Sequence, residues 1–328
     1  MTSVFKELKG LNGVVALVLV AAVLFWPALA SDYLIGFGIL LLMWVAYTES
    51  WIVLSGLTGY FSFGHVVFAG LGGYLMAALW LVWPEEIEIA GVVIGGVQVW
   101  ASMLVSAAAA AVLALVVGYP CLRVRGPYFV ILTFGVAELV KFIVINIEAG
   151  LSKSGRLMLG GPDTYTLYYL MGSLALAAFL LAYFVSRSRF GAGLRAIRED
   201  EDAAETMGIP VTRYKLTAFV LSAIIPGVVG ALYVLRGGYF EPLQVFDPKV
   251  SLTMICMAIM GGSDDARGPL FGVVFLSVLS EILWAKFPLI YQILVGLVLI
   301  TFVLGAPDGI WGRIVQATRR RTVGAVAR

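Results

Sequence analysis

Between Glu49 and Glu85 the chain carries no Asp, Glu, Lys or Arg, and inside that uncharged run lies SGLTGYFSFGH, Ser55 to His65. This stretch has three glycines, three aromatic residues and the only histidine of the chain. Its polarity suits hydrocarbon, yet its glycines break it as a loop is broken. Non-helical backbone is tolerated at membrane depth only where protein or a water-filled cavity satisfies its amides and carbonyls. The glycines also allow backbone geometries and close helix approach that larger residues forbid.

The rest of the sequence fits that setting. Hydrophobic residues make up 61% of the 328 and charged ones 13%, with a mean hydropathy of +0.98, whereas about a quarter of a soluble domain is charged. A bilayer core of about 30 Å takes roughly 20 apolar residues as helix, while a barrel would show short alternating segments. The long continuous runs predict an all-α polytopic membrane protein. Runs bounded by charge or Gly/Pro give about ten candidate spans: Leu11–Ala30, Tyr33–Leu54, Leu57–Trp83, Ile89–Gly118, Tyr128–Ile147, Leu167–Val185, Tyr214–Leu235, Val250–Met260, Pro269–Lys286 and Leu289–Leu304. The first ends in PALAS, as a cleaved signal peptide does, but its length favours a retained span.

Threading the spans from a cytoplasmic N-terminus puts Lys6 and Lys9, Arg123 and Arg125, the cluster from Arg187 to Lys215, and Arg319 to Arg321 inside. The acidic loop at Glu85, Glu86 and Glu88 falls outside, with Glu148, Glu241 and Asp247. Both termini are thus expected in the cytoplasm, the C-terminal one as a basic tail over about 313–328. Lys153, Arg156, Arg236 and Lys249 are exceptions on the outer side. Cys121 and Cys256 read as small hydrophobes in or beside helices.

One stretch has the composition of a globular surface, the insert from Ser186 to Lys215. Leu194, Ile197, Ala204 and Met207 recur near helical spacing among charged residues, which predicts a short amphipathic helix ended by Gly208 and Pro210. A solvated interhelical loop is the plainer reading. A helix under the membrane that docks a cytoplasmic partner explains why one insert is so long where other loops are short.

The insert also carries a resemblance. LRAIREDEDAAETMGIPVTRYKLTAFVLSA is similar to the cytoplasmic loop of ABC-importer permeases of the branched-chain amino acid (LivM-type) family, and Ala203 to Gly208 echoes the wider importer loop of Ala-Ala followed by Gly. SGLTGYFSFGHVVFAGLGGYL, LRVRGPYFVILTFGVAELVKF, GGPDTY, FDPKVSLTMICMAIMGG, GPLFG and APDGIWG follow the family's order, from about Trp51 to Gly312. GGSDDARG is more charged than its family counterpart, and Tyr60 and Ile52 also depart from it. The resemblance implies a single permease domain, residues 1–328, in the plasma membrane of a bacterium or archaeon. It implies a second permease subunit, generally a different chain, two cytoplasmic ATPase subunits and an extracytoplasmic substrate-binding protein, within membrane lipid and with no nucleic acid. It makes the insert a coupling helix, with Arg195, Arg198, Glu199, Ala203, Ala204, Glu205 and Gly208 as candidate contacts to the ATPase.

Within the membrane, half-helix N-termini offer free N–H groups to a substrate carboxylate, so Gly59, Ser62, Gly64 and His65 are candidates for the pathway. For His65 the plainer reading is a neutral imidazole hydrogen-bonded between helices, with pathway contact as the alternative. Glu138 is a further pathway candidate, although Lys141 three residues on can neutralise it. Glu49 precedes the break by one or two turns. Asp264, Asp265 and Arg267 suggest an ion network on a cytoplasmic hairpin, or a gate at the inner mouth. No P-loop is present, so the chain is read as no enzyme and as binding no cofactor itself, with ATP and Mg on the partner subunits. An ion-coupled secondary transporter using Glu49, Glu138 and His65 is the competing class, and a scaffold without a pathway is a third. Within the importer class, urea, short amides and aromatic acids compete with branched-chain amino acids as cargo.

Overall fold

In the computed structural model the described residues are 23–80, 82, 86–89, 92–151, 155–158, 160–263, 265–305, 309 and 311–312. Most of the first expected span, Lys6, Lys9, Glu85, Lys153, Asp264, part of APDGIWG and the basic tail lie outside them. Residues 23–29 are helical. The elements that follow are α1 (Asp32–Trp51, running into a π turn over Ile52–Gly56), α2 (His65–Leu79), β1 (Glu86–Ile89), β2 (Val92–Gly95), α3 (Val97–Cys121), α4 (Pro127–Gly150), β3 (Arg156–Leu157) and α5 (Thr164–Arg187). After α5 come α6 (Arg189–Glu199), α7 (Glu201–Thr206), α8 (Val211–Gly237), β4 (Tyr239–Phe240), α9 (Pro242–Val245), α10 (Pro248–Gly261), α11 (Gly268–Lys286) and α12 (Tyr291–Gly305).

Among the described residues seven helical segments are long and apolar enough to cross a membrane, and α2 and α12 are shorter apolar helices. The chain is thus an all-α polytopic membrane protein. Two expected spans are cut short. In the segment expected from Leu57 only Leu57 and Thr58 are helical before the new helix starts at His65, and the one expected from Ile89 starts only at Val97, after an antiparallel β1–β2 ribbon in which Ile87 pairs with Ile94.

Local chemistry sets the helix starts. Asp163, Ser188, Asp200 and Asp247 each accept a backbone N–H in the first turn of the helix they open. Proline stands in the first turn of α4, α9, α10 and α11, where its missing N–H costs nothing.

α8 and α1 form the centre. In the membrane window of α8 78% of residues are buried and in that of α1 72%, against 22% for α4, which lies at the edge. α8 packs on α2 and α3, and α1 on α5. Small residues make the α2–α8–α3 contact close: a Cβ on Gly72 would overlap the Gly227 carbonyl, and one on Gly227 would lie 2.6 Å from the Ala110 Cβ. The buried edge of α3 is Ser102, Ser106, Ala110, Ala114 and Gly118 at four-residue spacing, and Ser106 donates to the Gly72 carbonyl at 3.2 Å. Close backbone approach of this kind is how helices associate where lipid removes the hydrophobic drive between them.

The two faces of the bundle differ. One carries the insert helices α6 and α7, the end of α1 and the turn between α10 and α11, with the Ser263 carbonyl against Gly56. The other carries the ribbons, where β3 pairs with β4 and ties the α4–α5 link to the α8–α9 link. There Arg156 grips Glu148 through Nη2 at 2.6 Å and Nε at 3.1 Å, with Glu148 2% exposed. This pairing explains how one of the outer-side exceptions to the charge rule is accommodated. Lys249, another, lies 3.9 Å from the Asp247 carboxylate.

Candidate coupling and pathway site

The break between α1 and α2 is satisfied by side chains. Trp51 Nε1 donates to the Ser62 carbonyl at 3.0 Å, and the Ser62 amide to Ser55 Oγ at 3.2 Å. The Phe63 amide donates to Thr133 Oγ1 at 3.2 Å. Ser251 does two jobs, donating to the Phe63 carbonyl at 2.8 Å and accepting from the Val66 amide at 3.2 Å. Thr133 lies six residues into α4, roughly 9 Å at the helical rise of 1.5 Å per residue. The irregular backbone therefore enters the bundle to that depth, wrapped by α1, α4 and α10. Just before it, α1 widens into its π turn, a feature concentrated at functional sites.

The expected pathway residues are not in one place. Ser62, Gly64 and His65 sit together at the buried start of α2. His65 Nε2 lies 3.1 Å from Ser222 Oγ, and the Ser222 hydroxyl already donates to the Phe219 carbonyl at 2.8 Å. Nε2 is therefore the donor, and Nδ1 is buried with no hydrogen-bond partner among the described residues. The ring is flanked edge-on by Phe68 and Phe219. Gly59 lies elsewhere, beside the insert. Its φ of +73° excludes most side chains, and a Cβ there would stand 3.2 Å from Arg198 Cγ. Glu138 is on α4, in an ion pair with Lys141. Glu49 is fully buried in α1, and among the described residues neither carboxyl oxygen has a hydrogen-bond partner.

The insert is two helices, where one was expected. Asp200 is extended (φ −156°, ψ 115°), ends α6, and caps α7 by accepting from the Ala203 amide at 2.9 Å. Leu194, Ile197 and Ala204 are buried as the spacing required, but Met207 is 83% exposed, off the apolar face on which it was expected. Met207 follows the last residue of α7, so the helical periodicity that placed it inward has already ended.

Two of the insert's arginines reach back to the bundle. Arg195 Nη1 donates to the Ser186 carbonyl at 2.7 Å and Arg198 Nη1 to the Gly56 carbonyl at 2.9 Å. Glu199, Ala203, Glu205 and Gly208 are exposed, and Ala204 is not. Asp265 accepts from the Arg267 amide at 3.4 Å. Asp264 lies outside the described residues, and among those described the turn holds no ion pair between the Asp265 and Arg267 side chains.

A knot that the sequence did not single out joins these parts. Lys215 Nζ donates to Glu201 Oε1 at 2.6 Å, to Tyr60 Oη at 3.1 Å and to the Leu122 carbonyl at 3.2 Å. Tyr60 Oη donates to Glu201 Oε2 at 2.6 Å, and Arg125 stands 3.6 Å from the same carboxylate and 3.0 Å from Asp202. Partial burial alone would push the Glu201 carboxyl up. The Lys215 and Tyr60 hydrogen bonds and the charges of Lys215 and Arg125 outweigh it and hold the carboxyl below its usual range. The available signal was Lys215 itself, a cation in the first turn of an apolar span, which needs a carboxylate within reach.

The sequence matches the family described as "Branched-chain amino acid transport system / permease component" over residues 29–304. It is 25% identical to the high-affinity branched-chain amino acid transport system permease protein LivM of Escherichia coli (strain K12), across 87% of this chain and 71% of that protein. The probable branched-chain amino acid transport permease protein LivH of Methanocaldococcus jannaschii is 29% identical across 42% of this chain and 45% of its own length. BraD of Pseudomonas aeruginosa, a high-affinity branched-chain amino acid transport system permease protein, is 30% identical over the same shares. No solved structure matches. Because the family match runs unbroken through the π turn, the wrapped break, the insert and the α10–α11 turn, the chain belongs to the family of branched-chain amino acid transport system permease components.

Proposed function

We propose that this chain imports branched-chain or related amino acids as one permease of a binding-protein-dependent ABC importer, by ATP-driven alternating access. One observation carries the reading: the insert is locked to the bundle on one side and bare on the other, with Glu199, Ala203, Glu205 and Met207 facing outward from it. A bundle that worked alone would gain nothing from such a surface. Two ATPase subunits would dock there, binding ATP and Mg while this chain binds no cofactor. A second permease, expected to be a different chain, would complete the pathway, and a binding protein would deliver substrate to the ribbon face. On this reading the insert face is cytoplasmic, the membrane is the plasma membrane of a bacterium or archaeon, and the whole chain is one permease domain with both termini inside.

The inward reach of Arg195 and Arg198 changes which residues meet the ATPase. Gly208, at φ +86°, turns the chain beside that surface, and Ala203 and Glu205 are its most direct contacts. Glu138 borders the pathway from α4, while Ser62, Gly64 and His65 shape it from the start of α2.

The test is reconstitution in proteoliposomes with the two ATPases, the second permease and the binding protein. ATP-dependent leucine uptake is expected, and Ala203→Trp should prevent copurification of the ATPases while this chain still inserts. Uptake driven by a proton or sodium gradient without ATP would overturn the importer reading. Competition by urea and not by leucine would overturn the substrate class.

A further inference from the structure

The insert is joined to the membrane helices in two ways. The chain itself links it to α5 and α8, but both links are irregular: Ser188 is extended (φ −80°, ψ 167°) and Gly208 has a positive φ. Single non-helical residues bend, so they pass on little of a push. The second attachment runs through side chains. Arg198, in the last turn of α6, donates to the carbonyl of Gly56, the final residue of the π turn, and its stem lies along Gly59. Next to it Glu201 holds Tyr60, and Lys215 holds Glu201, Tyr60 and the C-terminal carbonyl of α3. Charge-assisted bonds at 2.6–3.2 Å are stiff where water is kept out, as it is at Lys215, whose side chain is 3% exposed. Beyond Tyr60 the same segment is fastened to α1, α4 and α10 by Ser62, Phe63 and Val66 and their partners.

We propose that Arg198 and the Tyr60–Glu201–Lys215 knot are positioning residues that hand movement of the insert to the π turn of α1 and the start of α2, making the glycine break the first membrane element to move. A π turn suits this part, because its surplus residue lets a helix end change register without unwinding. The inference rests on the insert being where ATPases dock. It departs from a simple lever, in which α5 and α8 alone would carry the motion.

The experiment uses the complete reconstituted complex and reads ATP hydrolysed per leucine imported. Arg198→Ala is expected to raise that ratio at least tenfold, and Arg198→Lys, which keeps a donor, to recover at least a third of the lost coupling. A merely structural arginine would instead lower the yield of complex in both variants and leave the ratio alone. A cross-link supplies the second arm. The Cβ of a residue replacing Gly59 would stand 4.0 Å from the Arg198 Cβ, inside the disulfide range of about 3.5–4.5 Å. Gly59→Cys with Arg198→Cys should therefore be poorly coupled when reduced and return to within about twofold of the unaltered complex when oxidised. An unchanged ratio in Arg198→Ala, or the same ratio in the oxidised and reduced cross-link pair, overturns the proposal. So does failure of both variants to accumulate, which would assign Arg198 to folding. If the unaltered complex shows no ATP-dependent uptake, the importer reading fails instead.

Discussion

Lys215 has a side chain 3% exposed in the first turn of an apolar helix, and it is tolerable there because Glu201, Tyr60 and the Leu122 carbonyl take up its three protons. Removing one partner of such a pair strands the other charge, a loss of about 3 kcal/mol or more. Lys215→Met should therefore lower the thermal unfolding midpoint in detergent, and Lys215→Met with Glu201→Gln should be milder than Lys215→Met alone. The pH response has a definite sign. The Glu201 carboxyl is depressed in the folded protein, so the stability it lends is complete above its unfolded value of about 4.3 and is lost as pH falls through the lower folded value. Without Lys215, burial is less opposed and that carboxyl moves up from its depressed position. Unfolding midpoints of Lys215→Met should then close on those of the unaltered chain as pH falls from 7 to 4, because protonation relieves a carboxyl that has lost its cation. A variant whose midpoint follows the parental curve would show that the knot is not an electrostatic fastening.

At the scale of elements, much was legible because hydropathy and turn residues report on lipid and backbone. The spans from Tyr33, Tyr128, Leu167, Tyr214 and Pro269 correspond to α1, α4, α5, α8 and α11 within a few residues. What was hidden has no periodic trace. The π turn over Ile52–Gly56 needs one surplus residue in a helix that is apolar all round, and no hydrophobic pattern marks it. The late start of α2 was masked because Leu57–Gly64 carries no Asp, Glu, Lys or Arg, like the helix that follows; its departure depends on Trp51, Thr133 and Ser251, of which Thr133 and Ser251 are remote in sequence. The knot was missed for the same reason, since Tyr60, Glu201 and Lys215 meet only in three dimensions. Sequence also cannot rank glycines. Gly72 abuts the Gly227 backbone, whereas a Cβ on Gly135 of α4 meets nothing within 4 Å. Gly72→Ala should force α2 and α8 apart at a cost of about 1–3 kcal/mol, and Gly135→Ala should gain up to about 1 kcal/mol from helix propensity. Comparing their unfolding midpoints tests whether that helix crossing is as tight as described.

Across the whole molecule the packing is lopsided: α1 and α8 are enclosed, while α4 turns most of its surface away from its own bundle. That surface is not purely apolar. Glu138 is the twelfth residue of a 24-residue helix, and it and Lys141 are 27% and 13% exposed in their ion pair. Beside them Leu139, Phe142, Ile143 and Asn146 line a shallow groove, and Asn146 spends its amide on the Phe142 carbonyl of its own helix. Charges at this depth are held where another protein surface or water meets them, because facing them to lipid tails costs several kcal/mol. The pair should then behave as a unit. Lys141→Met leaves Glu138 alone at mid-span and is expected to reduce the folded protein recovered from membranes severalfold. Glu138→Gln with Lys141→Met removes both charges and should restore recovery, with a coupling of about 1 kcal/mol or more when unfolding midpoints of the two single variants and the double variant are combined in a cycle. Transport separates the two neighbours. If the second permease covers this face, the neutral double variant should assemble and import normally; if the face lines the water-filled path, it should assemble and import slowly. Additive effects of the single variants would mean that neither charge senses the other, and that the pair is not what lets α4 face outward.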